Sequence, residues 1–370
     1  MKIFSLISIS IVSLLVIVFR DFSLFYAPRF WAEEGAFWFA HAFSHDWFDV
    51  IFTNQVGYYN FYSQFAALIA SRTVPLEHAP IVTTIMAFLV QYAAIMIIVW
   101  GHSTLWNTTI NKAITTAIIL FAPRTPEIWL NTNGSQYFLS LITVLILLSD
   151  CSFKSVVTKY VYRLLLVISG LTGLLSCGLT FLFVYKGWKT REKETYIHSM
   201  ILISCCIVQL FTLFIEQSRQ NYPSITVASL IVWIRVFTAP FSMNLAKKIA
   251  QYSFSIYGTT LFHIWGLAAL FAQIAILWIF ISKIPKPKNA LIVGSFLFLC
   301  YFSAYFGIGA KQNMALMNVT VANRYFYVPC ALILMMILFS INLKENRFFH
   351  NVQSGALIIL LVTGLINGHF

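Results

Sequence analysis

The chain has 370 residues, 59% of them hydrophobic and only 10% charged, with a mean hydropathy of +0.81, whereas an ordinary soluble domain is about 25% charged. That balance excludes a water-soluble fold, and apolar runs recur from Ile3 to Ile366, so membrane spans organise the whole length. The net charge of +12 comes with no recognition module and no soluble basic face, so no nucleic-acid partner is expected and the charge is read as membrane topology.

Lys2 and the following IFSLISISIVSLLVIVF have the outline of a signal peptide, but no small-x-small cleavage site follows and the run continues into the aromatic FSLFYAPRFW. An uncleaved first span is expected over 3–19. Residues 20–78 are too apolar for an ordinary loop and too interrupted for a span, which predicts helices lying in the membrane interface. Further spans of about 20 apolar residues are expected near 79–100, 111–122, 136–149, 199–216, 259–282, 289–307, 325–342 and 352–367, several of them short. The stretch 163–186 reads as one long helix or as two short ones turning at Thr172-Gly173. Basic clusters on both flanks, Lys154/Lys159/Arg163 and Lys186/Lys189/Arg191/Lys193, favour the hairpin, because lysine and arginine prefer the cytoplasm. Residues 218–258, with Arg235, Pro240 and Lys247-Lys248, are expected to form a second interfacial segment.

The expected fold is therefore an all-α polytopic membrane protein, a single domain of about 11 transmembrane helices, with the N-terminus inside and the C-terminus outside. In that topology the inner segments hold fourteen basic residues and four acids, a net of +10, and the outer ones ten and eight, a net of +2. The positive-inside rule is met, and most acids face outward. The six cysteines lie in or beside apolar segments without metal-ligand spacing and read as small core residues. No internal repeat is evident, which disfavours inverted-repeat transporter folds.

Charge is scarce, so its concentration in the first outer loop carries weight. That loop runs Arg29-Phe-Trp31-Ala-Glu33-Glu34-Gly-Ala-Phe37, then His41, His45-Asp46-Trp47-Phe48-Asp49, then Gly57-Tyr58-Tyr59-Asn60. Adjacent carboxylates beside a membrane lose hydration and repel each other, which raises one pKa and suits it to general-base work. A solvated helix N-terminus accounts for the same pair equally well. The loop after the third span offers Arg124, Glu127, Asn131, Asn133 and Gln136. Its amides suit a sugar, although turn chemistry is the stronger reading of Asn133-Gly134. The loop 307–324 ends in Asn323-Arg324-Tyr325, and arginine's planar fork matches phosphate oxygens. An interfacial anchor among tyrosines is nearly as good an account of Arg324. Arg29, Arg124 and Lys311 are secondary candidates for the same phosphate. His41 and His45 share a helix face, but no third ligand completes a metal site. No cofactor is assigned and the need for a divalent metal is left open. His263 reads as a packed core residue, and the Asn-x-Thr triplets at Asn107 and Asn318 are assigned nothing.

Trp31-Ala-Glu33-Glu34-Gly-Ala-Phe37 resembles the W-x-D-E-x-x-Y element of GT-C glycosyltransferases, including lipid A aminoarabinose transferases and protein O-mannosyltransferases. Gly57-Tyr58-Tyr59-Asn60 falls where those enzymes carry a P-x-x-Y-Y-like segment. The resemblance covers roughly the first 150 residues in order of elements, with glutamate where the family commonly has aspartate. It implies transfer of a sugar from a polyprenyl-phosphate donor to an envelope glycan or lipid acceptor, such as O-antigen, at the outer face of a bacterial inner membrane. It also implies that Glu33, or Glu34 beside it, is the catalytic base. Arg324 with Arg29, Arg124 and Lys311 would hold the donor phosphate. Asp46, Asp49, Tyr58, Glu127, Asn133 and Tyr325 are expected to contact substrate, with membrane lipids as the remaining partner. The absence of a glycine-rich nucleotide loop suits a lipid-linked donor. The alternative is a transporter or flippase for a lipid-linked or anionic substrate, which would place charge deep within spans.

Overall fold

The computed structural model describes residues 2–54, 58–123, 126–150, 155–215, 223–286, 288–306 and 315–340. Every regular element among them is helical. Among the described residues six helices are long and apolar enough to cross a membrane: Ile3–Arg20, Leu76–Trp100, Lys193–Thr212, Thr260–Lys283, Lys288–Phe306 and Asn323–Ser340. The expected count of about 11 spans is not confirmed among the described residues. The helices at Thr109–Phe121 and Ser135–Leu148 have 13 and 14 residues, about 20 Å at 1.5 Å per residue against a hydrocarbon core of about 30 Å. Hydropathy registers their apolar content but not their length. The expected span at 352–367 lies outside the described residues.

The chain divides into two compact units, Met1–Thr116 with Ile128–Gln217, and Ala117–Glu127 with Ser218–Phe370. In the first, α1 (Lys2–Arg20) is followed by α2 (Ser23–Tyr26), a π-helical stretch (Glu34–Phe39), α3 (Ala40–Ser44), α4 (Trp47–Phe52) and α5 (Phe61–Thr73). None of these last elements is long enough to cross a membrane. They bury Trp38, Ala42, Val50 and Ala67 in a small core and leave Phe43, Trp47, Phe48 and Phe52 exposed. Next come α6 (Ala79–Trp100), α7 (Thr109–Phe121), of which residues from Ala117 on count with the second unit, and α8 (Ser135–Leu148). α8 is buried along all of its length but Gln136, although Gln136, Ser140 and Thr143 share one face, and it packs against α5 and α6 and three of the elements that follow it.

The elements after α8 are α9 (Val156–Leu171), α10 (Leu174–Cys177), α11 (Thr180–Thr190) and α12 (Lys193–Ile215). Arg163 of α9 pairs with Glu194 of α12 through two bonds of 2.8 Å, and Gly170 lies against Cys205, so these two helices run parallel. Thr180 of α11 reaches Cys206 at 3.2 Å while Gly187 meets Thr195 and Tyr196, so α11 runs back. The chain thus reverses at Thr172-Gly173, and both basic flanks lie at the same end of α12. Gly173 makes the reversal possible: its φ is +88°, and a Cβ there would lie 2.8 Å from Gln136 Oε1. At the basic end two buried lysines satisfy helix C-termini. Lys112 Nζ donates to the carbonyls of Val99 and Gly101 at 2.6 and 3.0 Å, and Lys186 Nζ to those of Leu147 and Ser149 at 2.8 and 2.7 Å.

The second unit contains α13 (Ile225–Val232), α14 (Met243–Ser255), α15 (Thr260–Lys283), α16 (Lys288–Phe306) and α17 (Tyr327–Ser340). α13 continues as a π-helical stretch, Trp233–Thr238, and every residue of α13 after the exposed Ile225 is buried. Within the expected interfacial segment 218–258, residues 226–238 are mostly buried in the protein, while α14 buries only Ala246, Ala250 and Ser253 and exposes Lys247 and Lys248. Polar side chains join the interior helices. Gln273 donates to Ser229 O at 2.8 Å, and Tyr301 donates to Gln273 Oε1 at 3.1 Å.

Candidate functional site

The acid pair is split by its surroundings. Ala32, at φ +45°, turns the chain in the left-handed region just ahead of it. Glu34 begins the π-helical stretch and is buried to 2% exposure. Its Oε1 accepts from Thr132 N at 2.8 Å and Thr132 Oγ1 at 2.5 Å, and its Oε2 from Trp31 N at 3.1 Å. Burial nonetheless holds its pKa above the ordinary 4.5. Glu34 therefore fastens the 31–34 turn to the 130–134 turn, and its lone pairs are committed to that task.

Glu33 is half-buried and receives one hydrogen bond, from Asn133 Nδ2 to its Oε2 at 2.9 Å. Its Oε1 has no protein partner among the described residues. Asn133 is continued by Gln136, whose Nε2 lies 3.3 Å from Asn133 O and 3.2 Å from Tyr58 Oη. The result is a connected row, Glu33, Asn133, Gln136 and Tyr58, drawn from segments about a hundred residues apart. It sits at the Ser135 end of α8, opposite the buried lysines. The segment carrying Tyr58 is held by neighbours that have no catalytic look. Tyr59 N and O both bond to Gln209 of α12, at 3.3 and 2.8 Å, and Gly173 N donates to Tyr59 O at 3.1 Å. Tyr59 itself is buried, donates to Ile51 O at 2.8 Å, and is pushed up to about 12 by burial.

Other predicted site residues serve elsewhere. Asp46 caps α4 by accepting from Phe48 N and Asp49 N at 2.9 and 3.0 Å, and Asp49 is exposed on that helix. Arg29 is exposed and forms no hydrogen bond or ion pair among the described residues. Glu127 belongs to the second unit, where its two carboxylate oxygens accept from Asn323 N at 3.1 Å and Arg324 N at 3.3 Å. Arg324 is half-buried with its guanidinium 5.3 Å from the Tyr325 ring centre. Gly57, Arg124 and Lys311 lie outside the described residues. His41 and His45 lie with ring centres 4.1 Å apart and ring planes tilted by 32°, and burial together with the neighbouring imidazole lowers the pKa of His41. No group of three His, Cys, Asp or Glu side chains among the described residues is placed to hold a metal ion.

Sequence reasoning passed over Thr132 and Gln209, and gave Arg235 only a place in an interfacial segment. For Gln209 there was a signal: an amide in the middle of an apolar helix that must find partners. Arg235 is fully buried. Its Nε donates to Leu316 O at 2.7 Å and its Nη1 to Asn323 Oδ1 at 2.9 Å, while Nη2 donates to Val321 O. Searches against protein-family models, curated proteins and solved structures find no match to this chain.

Proposed function

We propose that the chain is a GT-C-type glycosyltransferase that moves a sugar from a polyprenyl-phosphate donor to an envelope glycan or lipid acceptor, with Glu33 as its general base. The observation that carries this reading is the division of labour between the two acids. Glu34 is buried and fully bonded, whereas Glu33 is half-buried with one oxygen unengaged, oriented by the Asn133 amide. A base needs an available lone pair in a fixed direction, and Glu33 alone of the pair has one. In the reaction, Glu33 accepts the proton of an acceptor hydroxyl. That oxygen bonds to the anomeric carbon, and the bond from this carbon to the lipid phosphate breaks, the phosphate leaving with the electron pair. Gln136 and Tyr58 offer hydrogen bonds to sugar hydroxyls. Arg29, exposed and unpaired, is the cation of the same unit available to the departing phosphate, and Arg324 retains its proposed role on the chemistry of its fork. The charge asymmetry supports a cytoplasmic Lys189 side and an outward Glu33 side in a bacterial inner membrane.

The test is sugar transfer in detergent from purified polyprenyl-phosphate sugar to a defined acceptor. Glu33→Gln is expected to lose activity about 10²–10⁴-fold, and full transfer by this variant would remove Glu33 from catalysis. The second reading, a flippase or transporter, is favoured by Arg235, since a charge buried in an apolar unit often marks a pathway. Detergent distinguishes the two, because it leaves no compartments to transport between.

A further inference from the structure

We infer that the basic end of α12 is a binding site for an anionic phospholipid of the surrounding bilayer. A groove of about 560 Å³ runs along one face of this helix, a volume suited to a small organic ligand. Arg191 and Lys193 form one end, and Tyr196, Met200, Ile201 and Ser204 carry the groove along the apolar length. These residues recur at helical spacing. From Lys193 to Ser204 the helix rises about 16 Å at 1.5 Å per residue, about the depth of one leaflet of a 30 Å hydrocarbon core.

The charges at the mouth are available. Neither the Arg191 guanidinium nor the Lys193 ammonium has a protein partner among the described residues, and both side chains are exposed. Of the two nearby acids, Glu194 is held by both bonds from Arg163, and Glu192 accepts from Thr195 Oγ1 at 3.2 Å. Lys189 lies close by with its ammonium 5.6 Å from the Tyr185 ring centre, so the local balance stays positive. Arg191 also stands at φ +55° as the cap of α11, which fixes where the chain turns from one helix to the next. Two unpaired cations above an apolar track the length of an acyl chain match a phosphodiester headgroup with one tail laid along α12. This site lies at the opposite end of α8 from Glu33, so it does not depend on the proposed sugar transfer.

Native mass spectrometry of the purified full-length protein tests the assignment, with phosphatidylglycerol, phosphatidylcholine and a polyprenyl phosphate titrated separately. The intact protein is expected to retain phosphatidylglycerol over phosphatidylcholine. Arg191→Asn with Lys193→Gln, asparagine being tolerant of the left-handed backbone, is expected to lose about thirtyfold in phosphatidylglycerol affinity, two basic contacts of about 1 kcal/mol each. Unchanged phosphatidylcholine adducts would show that the variant is folded. If the double variant does not purify, Lys193→Gln alone carries the test with about a fivefold loss. The charge-matched control, Lys247→Gln with Lys248→Gln on α14, is expected to leave affinity unchanged. The inference is overturned if the groove variant keeps its phosphatidylglycerol, or if the α14 control loses as much. It is also overturned if only polyprenyl phosphate responds, which would make the groove a carrier site.

Discussion

The two units each place a buried charge in a π-helical stretch and use it to hold a distant turn, Glu34 on the 130–134 turn and Arg235 on the 316–323 turn. In the second unit the charges at that clamp are engaged by the chain itself. Arg235 donates to main-chain oxygens and an amide, and Glu127 accepts two main-chain N–H groups. In the first unit the clamp has a neighbour that is not used up, since Glu33 keeps an oxygen free beside a fully satisfied Glu34. Burial of charge goes with a holding role in both units, and the proposed chemistry rests on the unengaged oxygen of Glu33.

The sharpest way to break this contrast is activity against stability at the acid pair. Glu33→Gln should remove transfer by about 10²–10⁴-fold and leave the detergent melting temperature unchanged, a result read from one preparation by turnover and thermal unfolding. Arg235→Ala should do the reverse. It orphans the carbonyls of Leu316 and Val321 and the Asn323 amide, at about 1–3 kcal/mol for each buried group left without a partner. A marked loss of unfolding free energy is expected, and an unchanged melt would show that the clamp is dispensable. Glu34→Ala strips the acceptor from Trp31 N and from both donors of Thr132, and should cost about 2–4 kcal/mol on the same scale. Activity would fall with it, because Asn133 follows Thr132.

A smaller effect is expected with pH. The pKa of Glu34 is raised above 4.5, so the folded state binds more protons than the unfolded state as pH rises past 4.5, and stability falls until the folded pKa is passed. Compared across pH with Glu34→Gln, the parent protein should therefore lose ground above pH 4.5, and parallel profiles would contradict a buried, desolvated carboxylate. The smallest expected effect has the opposite sign. His41 has a pKa lowered from 6.5, so its contribution is present above pH 6.5 and lost as pH falls through the folded pKa. His41→Gln should flatten that limb of the melting profile.

Hydropathy alone shows where the long spans lie and that the protein is helical, because a run of apolar residues needs no tertiary information to be recognised. The α9–α11 reversal was legible too, from basic residues on both flanks of Thr172-Gly173. What stayed hidden depended on length or on partners. α7 and α8 look like spans by apolar content, although their 13 and 14 residues fall short of the roughly 20 that a crossing needs. Residues 225–238 look interfacial because Arg235 is polar in sequence, although carbonyl oxygens and an amide satisfy it inside the fold. At the candidate site the acid pair stood out by the scarcity of charge around it. The separation of its roles rests on Thr132 and Asn133, about a hundred residues away, and no local pattern announces that pairing.

The paired lysines at the far end of α8 have a use in chemical footprinting. Lys112 and Lys186 each spend an ammonium on two carbonyls of a helix end and are buried, whereas Lys189 and Lys193 stand exposed. An amine-acylating reagent applied to the folded protein should mark the latter two within minutes and reach the former only as α6 and α8 fray. Four neighbouring amines of one chemical kind thus form a built-in clock for the integrity of the first unit, readable by peptide mass without any assay of function.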